Sequence, residues 1–156
     1  MTDALNISKM LEQACKQGLI DAGVNDTDTF LNFWQVSHPR DATFPQIAGA
    51  CSPDIPDGTD VDAFSEFRTV HCQLRLVTTV GDDETRETLS TLYVQARTML
   101  DTANAQRETW QTALLIGCQL NAVVITDSPV PYIEQLPNGA FCHVMDLNFD
   151  AMMSVT

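Results

Sequence analysis

Apolar and polar positions alternate along the segment from Phe67 to Thr78, most regularly from Val70 to Leu76. Val70, Cys72, Leu74 and Leu76 point one way, and His71, Gln73, Arg75 and Val77 the other. A period of two is that of a strand with one buried face, so residues 66–80 are expected to form one. The period then changes. After the acidic turn Gly81-Asp82-Asp83-Glu84, the residues Leu89, Leu92, Tyr93, Ala96, Met99 and Leu100 fall on one stripe at helical spacing. Arg86, Gln95 and Asp101 lie on the opposite side. Asp82 or Asp83 is placed to cap this helix, with acidic groups at its positive end.

The same reading extends to both ends. Residues 3–20 predict a first helix with Ile7, Leu11, Ala14, Cys15, Gly18 and Leu19 on one stripe, capped by Thr2, Asp3 or Asn6. Gly23 marks the turn after it. Residues 30–36 are aromatic and β-prone, and residues 45–51 read as a second, weaker strand whose Ala48, Gly49 and Ala50 permit close approach of another backbone. Residues 105–116 suggest another helix around Trp110. Residues 119–126 turn β-branched and read as a strand. Pro129 and Pro131 interrupt it, as at a bulge or an edge, and residues 132–136 can resume it. Pro137-Asn138-Gly139 signals a hairpin turn. The final strand alternates Phe141, His143, Met145, Leu147 and Phe149 with Cys142, Val144, Asp146, Asn148 and Asp150. The tail from Ala151 to Thr156 is apolar. It either completes the core or docks on a partner.

Residues 52–65 break the rhythm, with prolines, a glycine and repeated aspartates. A loop of this length in a compact domain has a job or lacks fixed structure. It is either an arm that reaches a neighbouring subunit or a solvated hairpin tip. No internal repeat or linker divides the chain, so residues 1–156 are expected to form a single domain. The expected class is α+β: a small, mostly antiparallel sheet of four to five strands packed against two to three helices.

Charge narrows the function. The net charge is −13 from eight basic and 21 acidic residues, and no Lys or Arg follows Arg107. Gripping a nucleic-acid backbone takes clustered cations, as does holding an anionic membrane. An acidic surface suits solubility, and it also repels DNA that must pass without sticking. Five cysteines, Cys15, Cys51, Cys72, Cys118 and Cys142, are widely spread with no CxxC pair. They read as reduced, mostly buried small hydrophobes rather than as a zinc site or a disulfide framework. Neither a basic-then-apolar leader nor an apolar run long enough to span a membrane is present, which points to synthesis in the cytoplasm.

Catalytic chemistry finds little to stand on. The strand histidines His71 and His143 each adjoin a cysteine, but strand neighbours point to opposite faces. The two histidines can still meet each other, which leaves a metal two ligands short. Asp82-Asp83-Glu84 reads as helix capping. Asp54, Asp57, Asp60 and Asp62 resemble a calcium loop only loosely, with the wrong spacing and no closing glutamate. Phosphate-binding glycine loops, nucleophile elbows and zinc-protease motifs are all missing from the sequence. The expectation is no enzyme and no cofactor.

The order of elements does carry a likeness. The segments Val70-His-Cys-Gln-Leu-Arg-Leu-Val77, Glu84 to Leu100, and Phe141-Cys-His-Val-Met-Asp-Leu-Asn-Phe149 together resemble the tail terminator proteins of long-tailed bacteriophages. The likeness is one of pattern, covers most of the chain and carries no residue-by-residue motif. The second helix around Trp110 and the proline-broken strand near Pro129 depart from it. Those departures leave another neck or minor tail role open.

The resemblance implies a tail-terminator-like fold and a virion protein, made in the host cytoplasm, that joins tail to head. It would form a ring, a homohexamer, at the head-proximal end of the tail tube and stop tube polymerisation. Its partners would be itself, the tail tube protein and the head connector or head-completion protein, with DNA passing through unbound. A closed ring needs unlike patches to meet. The candidates for those contacts are Asp54, Ile55, Asp57, Asp60, Val61, Asp62 and Phe64 in the arm, and Met152, Met153 and Val155 in the tail. The competing class is a small cytosolic α+β domain that binds a ligand or acts as an adaptor through a sheet edge.

Overall fold

The computed structural model describes residues 4–25, 29–33, 44–52, 55–56, 67–80, 83–105, 118–136 and 139–155. Their elements run α1 (Ala4–Asp21), β1 (Phe30–Phe33), β2 (Gln46–Cys51), β3 (Ile55–Pro56), β4 (Phe67–Thr79), α2 (Asp83–Ala105), β5 (Cys118–Ile125), β6 (Tyr132–Gln135) and β7 (Phe141–Val155). The class is α+β.

The sheet is ordered β1-β2-β4-β7-β5, with β3 beside β4 and β6 beside β7. Only β1 and β2 run parallel, and every other pairing is antiparallel. Its spine is the long β4–β7 pair, from Phe67 opposite Ser154 to Thr79 opposite Cys142.

One face of the sheet packs under both helices. Val70, Cys72, Leu74 and Leu76 of β4 bury there with Met145, Leu147, Phe149, Ala151 and Met153 of β7. The α1 stripe (Ile7, Leu11, Ala14, Cys15, Leu19) and the α2 stripe (Leu89, Leu92, Ala96, Met99, Leu100, Ala103) close over them. Helix α1 ends as its sequence predicts. Gly23 takes φ +102°, and Val24 N–H donates to Leu19 O at 3.0 Å. Gln95, on the outward side of α2, donates to Gly23 O at 3.0 Å and ties that helix to the turn after α1.

On the sheet's other face, Val77, Cys142, Val144 and Leu136 make a small second cluster with Phe44 against it. The β6–β7 hairpin closes as Asn-Gly predicts. Leu136 N–H donates to Ala140 O at 2.7 Å, and Gly139 sits at φ +87°. The strand resumes after the prolines, so β5 and β6 lie end to end along β7.

Three expectations need correction. The final strand does not stop at Asp150 but runs to Val155, because residues 151–154 pair with β4 on one side and residues 151–155 with β5 on the other. Residues 52–65 are not wholly loop: Ile55 pairs with Thr69 and extends the line of β2 along β4. The expected second helix was to begin at residue 105, but Ala105 still belongs to α2; residues 106–116 lie outside the described residues.

Candidate interaction surfaces

The strand register sets polar pairs across the face of the sheet that no described helix covers, the uncovered face. His71 opposes Asp150, Gln73 opposes Asn148 and Arg75 opposes Asp146. Each pair is bonded. His71 Nδ1 lies 2.5 Å from Asp150 Oδ1, Gln73 Nε2 donates to Asn148 Oδ1 at 3.1 Å, and Arg75 Nε donates to Asp146 Oδ1 at 2.9 Å. Tyr132 Oη donates to Asp146 Oδ2 at 2.6 Å, and Asn148 Nδ2 to Asp127 Oδ2 at 3.0 Å. Glu134 adds a second carboxylate 3.7 Å from Arg75. Burial works against the Arg75 charge, yet Asp146 outweighs it and the guanidinium pKa is raised. Burial and the bond to Asp146 push the Tyr132 hydroxyl up to about 12.

Apolar side chains are exposed at both ends of this ladder. At one end stand Phe67 (55% exposed), Met152 (40%) and Val124 (43%), all on the uncovered face by register. At the other end Val80 adjoins Phe141, with Ile133 nearby, on the helix side of the sheet. The 13 residues of β4 separate the two groups, roughly 40 Å at strand rise. Contiguous apolar groups exposed on a polar surface are the kind of feature at which proteins make contacts.

The free side of β5 is partly covered. Asn104 at the end of α2 donates to Val123 O at 2.8 Å and accepts from Val123 N–H at 2.7 Å. It satisfies the groups that a further strand would seek.

The predicted contact residues divide. Ile55 lies in β3 beside Thr69, and Val155 closes β7 opposite Cys118. Met152 is exposed on the uncovered face, as a contact requires. Met153 is not available: strand alternation turns it into the core, where it is 1% exposed. Asp54, Asp57, Asp60, Val61, Asp62 and Phe64 lie outside the described residues. The sequence reading passed over Phe67 and Val124. Phe67 carried a signal, an apolar residue on the parity of Thr69, His71, Gln73 and Arg75. Val124 carried none, because it shares the apolar parity of Leu120 and Ala122 and is turned outward by the register shift between those two residues.

The two histidines do not meet. His71 opposes Asp150 and His143 opposes Thr78, seven positions along β4 and on the opposite face. Among the described residues, no group of three or more His, Cys, Asp or Glu side chains is arranged to hold a metal ion. The described clefts are open depressions. One of about 520 Å³ lies over His71, Gln73, Asn148 and Asp150. Another, about 510 Å³, lies between Tyr93 and Arg97 of α2 and Thr126 and Asp127 after β5. No described helix is long and apolar enough to cross a membrane.

Three cysteines converge on the helix side. Cys51 and Cys72 oppose each other across β2 and β4, with Sγ atoms 2.9 Å apart, and Cys15 reaches Cys51 from α1. The same helix pins the end of β2: Ser8 Oγ donates to Ser52 O, and Glu12 Oε1 accepts Cys51 N–H at 2.9 Å. Desolvation pushes the Glu12 carboxyl up to about 7.

Comparison with protein-family models and with curated protein sequences finds no match for the chain.

Proposed function

We propose that this chain is a structural subunit of a phage virion, forming a ring at the head-proximal end of the tail tube. There it ends tube growth and joins tail to head. The observation that supports this reading most is the pair of unlike apolar groups at opposite ends and on opposite faces of the sheet. A closed ring requires heterologous contact, in which one patch of a subunit meets a different patch of the next. Phe67, Met152 and Val124 form one such patch, and Val80, Ile133 and Phe141 the other.

Two further features agree with it. The half-buried ladder and its surroundings are rich in carboxylates (Asp127, Glu134, Asp146, Asp150) in a chain of net charge −13, which suits a channel that DNA slides through without adhering. The adaptor reading needs an open sheet edge, and Asn104 occupies part of the β5 edge.

The test is co-assembly with a tail tube protein of the same phage, followed by electron microscopy. The expected result is short tubes bearing this protein at one end. Tubes of unchanged length, with the protein unbound or scattered along them, would overturn the reading.

A further inference from the structure

We propose that Cys51 and Cys72 are a reversible dithiol–disulfide pair, oxidised by hydrogen peroxide with Cys51 as the attacking thiol. The placement comes from strand register. Ser52 N–H donates to His71 O at 2.8 Å, which makes Cys51–Cys72 a non-hydrogen-bonded pair of the antiparallel ladder. Residues in such pairs have Cα atoms about 4.5 Å apart and their side chains closest together. That separation is within the range a disulfide spans. The two Sγ atoms already stand 2.9 Å apart, as free thiols.

The three thiols are not equivalent. Cys15 and Cys72 are buried, whereas Cys51, the last residue of β2, is half-buried. Cys51 is therefore the one a small oxidant reaches. Its sulfur also accepts hydrogen bonds from Cys15 and Cys72, which favour its thiolate and lower its pKa. Donating those bonds, and their own burial, keep Cys15 and Cys72 protonated. The thiolate is the nucleophile, so the most accessible sulfur is also the most reactive. A second observation sets this cluster apart from ordinary core packing. Glu12 is 3% exposed beside it, and its Oε2 has no partner among the described residues. A buried carboxyl left half-satisfied is costly where nothing uses it.

The steps balance. Cys51 thiolate attacks one peroxide oxygen, the O–O bond breaks, and Cys51 sulfenic acid forms with release of hydroxide. The Cys72 sulfur then attacks the sulfenic sulfur. Its S–H proton leaves with the hydroxyl as water, and the S–S bond forms. Two thiols lose two electrons, and one peroxide becomes two waters. A dithiol reductant reverses the bond by exchange. The bond would join the end of β2 to β4 at the base of residues 52–66.

The test is peptide mapping by mass spectrometry after brief treatment of the folded protein with hydrogen peroxide at pH 7. The expected product is a Cys51–Cys72 cross-link, about 2 Da lighter than the dithiol and removed by dithiothreitol. It should form at least about tenfold faster than oxidation of Cys118 or Cys142. Cys72→Ala should trap the sulfenic acid at Cys51 as a dimedone adduct, and Cys51→Ser should give neither product. Five free thiols persisting in the folded wild type, under conditions that oxidise the urea-unfolded chain, would overturn the proposal. So would a bridge between Cys15 and Cys51, or a dimedone adduct at Cys72.

Discussion

Glu12 shows how one buried side chain leaves a signature in solution. Desolvation raises its carboxyl from 4.5 to about 7 in the folded chain. A carboxyl that holds its proton more tightly when folded favours the folded state at low pH. That contribution is complete below pH 4.5 and is lost as pH rises through about 7. Glu12→Gln keeps an acceptor for Cys51 N–H and cannot ionise. Thermal melts from pH 4.5 to 8 should show the wild type losing stability relative to Glu12→Gln. The variant should be higher by roughly 3 °C or more at pH 8. Parallel pH curves would contradict the assignment. Asp146 offers a second test at this scale. It holds both Arg75 and Tyr132 on the uncovered face. Asp146→Ala strands two polar partners and should cost about 2–3 kcal/mol in urea unfolding, while Tyr132→Phe removes one bond and should cost about 1 kcal/mol.

Among the elements, the β6–β7 hairpin has the simplest dependence on one residue. Gly139 at φ +87° would meet nothing within 4 Å if given a Cβ. Gly139→Ala should therefore cost about 1–2 kcal/mol by backbone strain alone, and Gly139→Asn less. Equal stability of all three would show that the turn does not need a left-handed residue. This hairpin was legible in the sequence, as were the α1 and α2 stripes and the alternation of β4 and β7. In each, the signal lies within a few consecutive residues. What was not legible depends on which strands meet. The polar ladder joins residues more than 70 positions apart, and so appears only once β4 and β7 are in register. The same holds for Cys15, Cys51 and Cys72, which looked like scattered core residues until β2 paired with β4. The tail from Ala151 read two ways because its partner, β5, is remote in sequence. The structure gives Met153 to the core and leaves Met152 outside.

For the whole molecule, the account turns on what the exposed apolar groups do. Phe67 and Met152 are exposed and belong to neither buried cluster, so replacing both with aspartate should leave the melting temperature within about 2 °C while abolishing self-association. Loss of folding in Phe67→Asp/Met152→Asp, read by circular dichroism, would show that the patch supports the monomer instead. The most direct measurement is the mass of the wild-type protein in solution, by light scattering behind size exclusion across a concentration series. The ring account predicts a closed species of about six subunits, each of 17.2 kDa. Negative-stain images of that peak should show annular particles. A monomer, or a twofold dimer, persisting at the highest concentration and in the presence of tube protein would contradict it.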